Sequence, residues 1–277
     1  MSRRRKPQQA SRSPLTADQR AGVQSFIEVL KPFDEAKASE LFEAARRRFA
    51  AFAQADNIAQ LLLQLHLKHV EMAGDMASAY RRLHFATAAT LSRTLLDGGV
   101  TLMWATANRD DEEAGYNQLL RVLAKGYQEQ ARQAAKGRAP ALTWAEQRVV
   151  SETTTRGLAE LPGVAGRLRD VDAVWAALGS DSVASEHYPH FAITSAYTHP
   201  SRFGPAMFTS TAEGIVVDTQ GQTLLGAAAL YYGACYFCVG YQCSAALAGL
   251  GAEADWMSAQ LAAMTPLLSR IVEQELE

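Results

Sequence analysis

Apolar residues recur along most of this chain at intervals of three and four, the spacing that places them on one stripe of an α-helix. Leu41, Phe42, Ala45, Phe49 and Phe52 form one such stripe; Ile58, Leu61, Leu62, Leu65 and Met72 form another. Capping residues punctuate the stripes. Thr16 followed by Gln19 has the form of a capping box and opens a first helix to about Leu30, which Pro32 ends. Asp34, Asp56 or Asn57, and Thr143 stand where further helices begin. A fourth helix is predicted from about His84 to Ala107, apolar on most sides through Leu91, Leu95, Leu96, Val100, Leu102, Met103 and Trp104. Such a helix belongs at the centre of a bundle. Gly98 and Gly99 interrupt it. Each costs about 1 kcal/mol against Ala in a helix interior, so their presence predicts another helix packed close at that point.

A fifth, more charged helix is predicted to about Lys136, a sixth from Thr143 to Leu161, and a short one through Val171, Val174 and Trp175. Ser185 opens a segment through Thr198, stopped by Pro200. Residues 201–221 lack the helical period, and Ile215-Val-Val-Asp218 between Gly214 and Gly221 predicts a small β-like hairpin near 213–221. Helix resumes from Thr223 to Ala252 and again from Asp255 to near Glu273. The fold class is thus expected to be all-α, a helical bundle around a central apolar helix with a small β-like hairpin. Residues 1–14 read as a disordered basic tail, 15–55 as an N-terminal helical appendage and 56–277 as the bundle domain.

The run 224–252 carries no charge over 29 positions, longer than the roughly 20 apolar residues that a bilayer span needs. Gln242, Ser244 and the many Ala and Gly residues argue against a span, and the acidic flanks Asp218 and Glu253 offer no cationic anchor. Small residues suit close helix packing in water as well as in lipid. The run therefore predicts a buried central helix that also offers a self-association face, hence a homo-oligomer. Membrane association through 224–252 is the lesser alternative.

Composition narrows the class without naming a substrate. The 277 residues are 48% hydrophobic and 20% charged, which excludes a wholly disordered chain and leaves ample length for a core. A net charge of −2 gives the whole molecule no polyanion-binding signature. It hides an asymmetry: Arg3, Arg4, Arg5, Lys6 and Arg12 make the first 14 residues basic, leaving the remainder at −7. No apolar stretch follows those arginines, so the pattern predicts no secretory signal. Cys235, Cys238 and Cys243 lie within nine residues, an odd and clustered set that suits buried thiols on a helix rather than a disulfide framework. Cys235-x-x-Cys238 lacks a second pair or a nearby His to complete a zinc site. A cytoplasmic protein is expected.

Two polar clusters carry the candidate chemistry. Arg93 and Asp97 share one face of the apolar helix, and charges there need partners. Tyr188, Ser195 and His199 fall near one face of a later segment, with Pro200, Ser201 and Arg202 just beyond. A His at a helix C-terminus feels the negative end of the dipole, which favours its protonated form. These features predict a polar centre in which Arg93, Asp97 and His199 meet inside the bundle, with Tyr188, Ser195 and Arg202 as binding residues.

The succession Leu91-Ser-Arg93-Thr-Leu-Leu-Asp97, a Trp175 helix, then Tyr188 and Ser195-x-x-x-His199-Pro200 resembles an uncharacterised bacterial family of helical proteins. The resemblance covers about residues 56–250, and Asp97 departs from the Glu more usual there. More distantly the chain resembles the HEPN helical domains of toxin and defence systems. Those that cleave RNA place a His soon after an Arg on one helix, and Arg81-Arg82-Leu-His84 is too tightly spaced to match. A HEPN-like ribonuclease or toxin would use His199 as general acid or base, Asp97 to fix its tautomer, and Arg93 and Arg202 to hold phosphate, with no metal or cofactor. The other reading is a satisfied network that fixes helix register, within a binding or regulatory module for RNA or a small ligand in stress or phage defence. His66-x-x-His69 lacks Glu-x-x-His partners on other helices and reads as part of a polar face. Asp110-Asp-Glu-Glu113 suits a helix start, and Arg46-Arg-Arg48 a solvated face.

Overall fold

The computed structural model describes residues 15–107, 111–179, 184–192, 208–211, 214–217 and 219–276. Helix α1 (Ala17–Leu30) starts at the expected box, in which the Thr16 hydroxyl accepts from the Gln19 N–H and the Gln19 side chain accepts from the Thr16 N–H. Asp34 caps α2 (Glu35–Arg48), and Asp111 caps α5 (Glu112–Ala134). Between them lie α3 (Ala55–Arg81) and α4 (Phe85–Thr106). A second capping box, Thr143 with Glu146, opens α6 (Trp144–Thr155). Then come α7 (Val164–Ala177), a 3-10 turn at Ala184–His187 that runs into helical residues 188–192, α8 (Thr219–Leu247) and α9 (Gly251–Gln274).

Three boundaries differ from the sequence reading, each for a local reason. The hairpin near 213–221 is corrected: Thr219, Gln220 and Gly221 already belong to the long apolar helix, so Gly221 lies inside α8 and closes no hairpin. The extended residues are instead two four-residue segments, β1 (Phe208–Thr211) and β2 (Gly214–Val217), antiparallel with Phe208 opposite Val217. The fold is an all-α bundle with one long apolar helix. Helix α6 stops at Thr155 rather than Leu161 because Gly157 turns left-handed, with φ +65°. The apolar run read as one helix to Ala252 breaks at Gly249, φ +79°. There the N–H groups of Gly249 and Leu250 donate to the carbonyls of Ala246 and Ala245 before α9 begins.

The core has two lobes that share three helices. One gathers Phe26, Met76, Tyr80, Leu95, Phe237 and Met264; the other gathers Leu41, Leu62, Trp104, Tyr116, Leu168 and Tyr236. Helices α3, α4 and α8 contribute to both. Their closeness comes from small residues. Gly226, Gly233 and Gly240 recur every seven residues on α8; a Cβ on the first two would overlap Phe85 and Met76, and on the third would stand 3.0 Å from His69 Nδ1. On α4 a Cβ at Gly99 would lie 2.8 Å from the Tyr236 carbonyl oxygen, so Gly98-Gly99 is indeed where another helix packs close. Thr223–Leu247 is the one span among the described residues long and apolar enough to cross a membrane, and 61% of the 18-residue stretch that makes it so is buried inside the bundle.

Candidate functional site

Arg93, Asp97, Thr101 and Trp104 follow one another at steps of four, four and three along α4 and so share a face. Helix α7 lies against that face and presents Arg167 and Asp170, three residues apart. The Arg167 guanidinium donates from Nη2 to Asp97 Oδ1 at 2.6 Å and from Nη1 to Thr101 Oγ1 at 2.6 Å. Thr101 in turn donates its hydroxyl proton to the Asp97 carbonyl at 2.7 Å. One turn on, Trp104 Nε1 donates to Asp170 Oδ2 at 2.9 Å. Arg167 is only 6% exposed, whereas the Asp97 side chain is 54% exposed. The pair thus stands at the rim of the bundle, cation inward and carboxylate outward.

Arg93 takes a different neighbour. Its guanidinium lies over the Phe191 ring, 5.3 Å from the centroid, a cation–π contact. Phe191 belongs to the short segment that begins at Ala184, and it stacks on Tyr188 at 6.1 Å. That segment is held from two further sides. Asp172 of α7 accepts the N–H groups of Ala184 and Ser185, and His190 stacks on Tyr232 of α8 at 3.8 Å and 22°. His187 meets Tyr236 edge-on at 5.6 Å. Behind it a cavity of about 110 Å³ is lined by Met103, Trp175, Cys235 and Val239. Burial pushes the Cys235 thiol up to about 12, so it stays protonated at neutral pH.

Of the residues the sequence singled out, Arg93, Asp97 and Tyr188 are on the described face, and Tyr188 is exposed. Ser195, His199 and Arg202 lie outside the described residues. Sequence reasoning missed Arg167 and Asp170, the groups that engage the α4 face. The available signal was Arg167 followed by Leu168 and Val171, an arginine set into an apolar stripe.

The histidines need a correction. His66 and His69 are buried on the inner face of α3, in line with Leu62, Ala73 and Met76. They continue that apolar stripe at helical spacing and are not part of a polar face. His66 packs against Phe33 and Tyr241, with centroids 5.4 and 5.3 Å away. Burial lowers both imidazoles to about 4 and that of His190 to about 3; His187 is lowered too, again chiefly by burial. Among the described residues no group of three or more His, Cys, Asp or Glu side chains is placed to hold a metal ion.

No protein-family model, curated protein or solved structure matches the chain.

Proposed function

We propose that the protein is a binding or regulatory module whose polar centre ties helices together beside a surface that receives a small ligand or RNA. The observation that carries this reading is the Arg167–Asp97 pair. A carboxylate already engaged by a buried guanidinium of α7 serves helix register. The exposed outer side of Asp97, the aromatic pair Tyr188 and Phe191, and Arg93 together form the adjoining surface.

One observation favours a second reading, a metal-independent HEPN-like ribonuclease or toxin with His199 as acid or base. Phe191, eight residues before His199 in the chain, is the ring beneath Arg93, a cation suited to phosphate.

Three proteins separate the two: wild type, Asp97→Ala and His199→Ala, each expressed in cells with RNA integrity followed, and each unfolded with denaturant in vitro. For a binding module, RNA stays intact in all three. Asp97→Ala then loses about 1–3 kcal/mol, because Arg167 stays buried with its carboxylate gone. RNA decay with wild type that His199→Ala abolishes would establish the ribonuclease in its place.

A further inference from the structure

A second cleft shares no residue with the α4–α7 face. It lies between the α2–α3 connection and the start of α6, encloses about 520 Å³, and is lined by Arg46, Phe52, Asp56, Trp144 and Arg148 among others. That volume falls within the range of small-molecule sites. Trp144 is 71% exposed at the first position of α6. The helix start does not require an indole, since Thr143 and Glu146 make the cap. Arg148, one turn on, holds its guanidinium 4.9 Å from the indole centroid. Arg46 is steered by Asp56, which accepts its Nε proton at 2.7 Å, while its Nη1 stands 4.0 Å from Glu43.

The floor of the cleft is fixed. Phe52 stacks on Tyr116 at 4.3 Å and 14°, and the Tyr116 hydroxyl accepts the Gln54 N–H while donating to Glu152 of α6 at 2.8 Å. Arg156 closes the set, 3.0 Å from Glu152 and 5.1 Å from the Tyr116 ring centroid. The connection and α6 are therefore tied together beneath the opening, so the backbone that carries Arg46, Trp144 and Arg148 is set before any ligand arrives.

We propose that this cleft binds a nucleoside monophosphate unit, its base stacked on Trp144 and its phosphate on Arg46 and Arg148. An exposed indole offers a π-face to any base, and guanidinium forks match phosphate oxygens. Asp56 and Glu43 offset part of the positive charge of Arg46, so the cleft suits one phosphate group at a time. The unit comes either as a free nucleotide or as part of single-stranded RNA.

The test is calorimetric titration of the full chain with adenosine monophosphate, adenosine and a short oligoadenylate. Adenosine monophosphate should bind saturably. Trp144→Ala should weaken it at least about fivefold, and Trp144→Phe should restore most of the loss. Arg148→Gln should weaken the nucleotide and leave adenosine unchanged. The source follows from the same data: oligoadenylate bound more tightly and in a salt-dependent way marks an RNA strand, and equal or weaker binding marks a free nucleotide. Circular dichroism melts of the variants, all at exposed positions, report that the fold is kept. The proposal is overturned by no saturable heat up to about 1 mM of either phosphate ligand, or by binding that survives Trp144→Ala. It is also overturned by a dimer that Trp144→Ala dissolves, since a second copy would then fill the cleft. None of these outcomes depends on the fate of Asp97 or His199, so the two readings stand or fall separately.

Discussion

His69 sits on the inner stripe of α3 with Gly98 of α4 on one side and Gly240 of α8 on the other; a Cβ on Gly98 would overlap its ring. Burial holds it neutral, as it does His66. Their folded values, about 4, lie below the ordinary 6.5, so on acidification the unfolded chain takes up protons first. The stability tied to each imidazole is complete above about pH 6.5 and is lost as the pH falls towards 4. A shift of this size corresponds to about 3 kcal/mol for one fully buried group. Urea unfolding at pH 7 and pH 5 should therefore show a marked acid loss in wild type and a smaller one in His69→Met; equal losses would show that His69 is not held neutral. At this scale residue type misleads and spacing informs. The histidines read as polar by identity, yet their places four and seven residues after Leu62 assign them to the core. Arg167 shows the complementary limit: its place in an apolar stripe marks it as buried, but its partner is 70 positions away and is not marked by any local pattern.

The helices were legible because their ends are written in side chains: Thr16, Asp34, Asp111 and Thr143 each cap as their residue types suggest. Ends made by backbone are harder to read. Gly157 and Gly249 stop helices by turning left-handed, and nothing in an apolar or polar pattern marks which glycine will do so. The extended pair at 208–217 was misplaced for a related reason, since Thr219, Gln220 and Gly221 carry no period yet continue into α8. The close approach of α4 and α8, in contrast, was legible from Gly98-Gly99 and has a sharp consequence. At Gly99 the obstacle is the Tyr236 backbone carbonyl, which cannot swing aside as a side chain would. Gly99→Ala should cost about 1–3 kcal/mol by thermal unfolding even though Ala favours helix. Gly126→Ala on α5, with open space around it, should be neutral or stabilising.

At the scale of the whole molecule the class of fold followed from periodicity, while the site was legible only in part. Arg93, Asp97 and Tyr188 could be picked out one by one, but which of them meet depends on how α7 and the 184–192 segment dock on α4, and that is decided by contacts distant in sequence. The docking is organised by α8, which supplies Phe237 to one lobe of the core and Tyr236 to the other, so neither lobe keeps its centre if this helix leaves. Cys238 directly follows this pair on α8 and has no exposed surface, whereas Cys243 is partly exposed. A mild alkylating reagent should mark Cys243 early and Cys238 only when the entire bundle comes apart, and faster in Gly99→Ala; mass spectrometry of the digested protein reads both clocks. The chain thus holds a native stopwatch for its own unfolding, started by the reagent and stopped at a single sulfur.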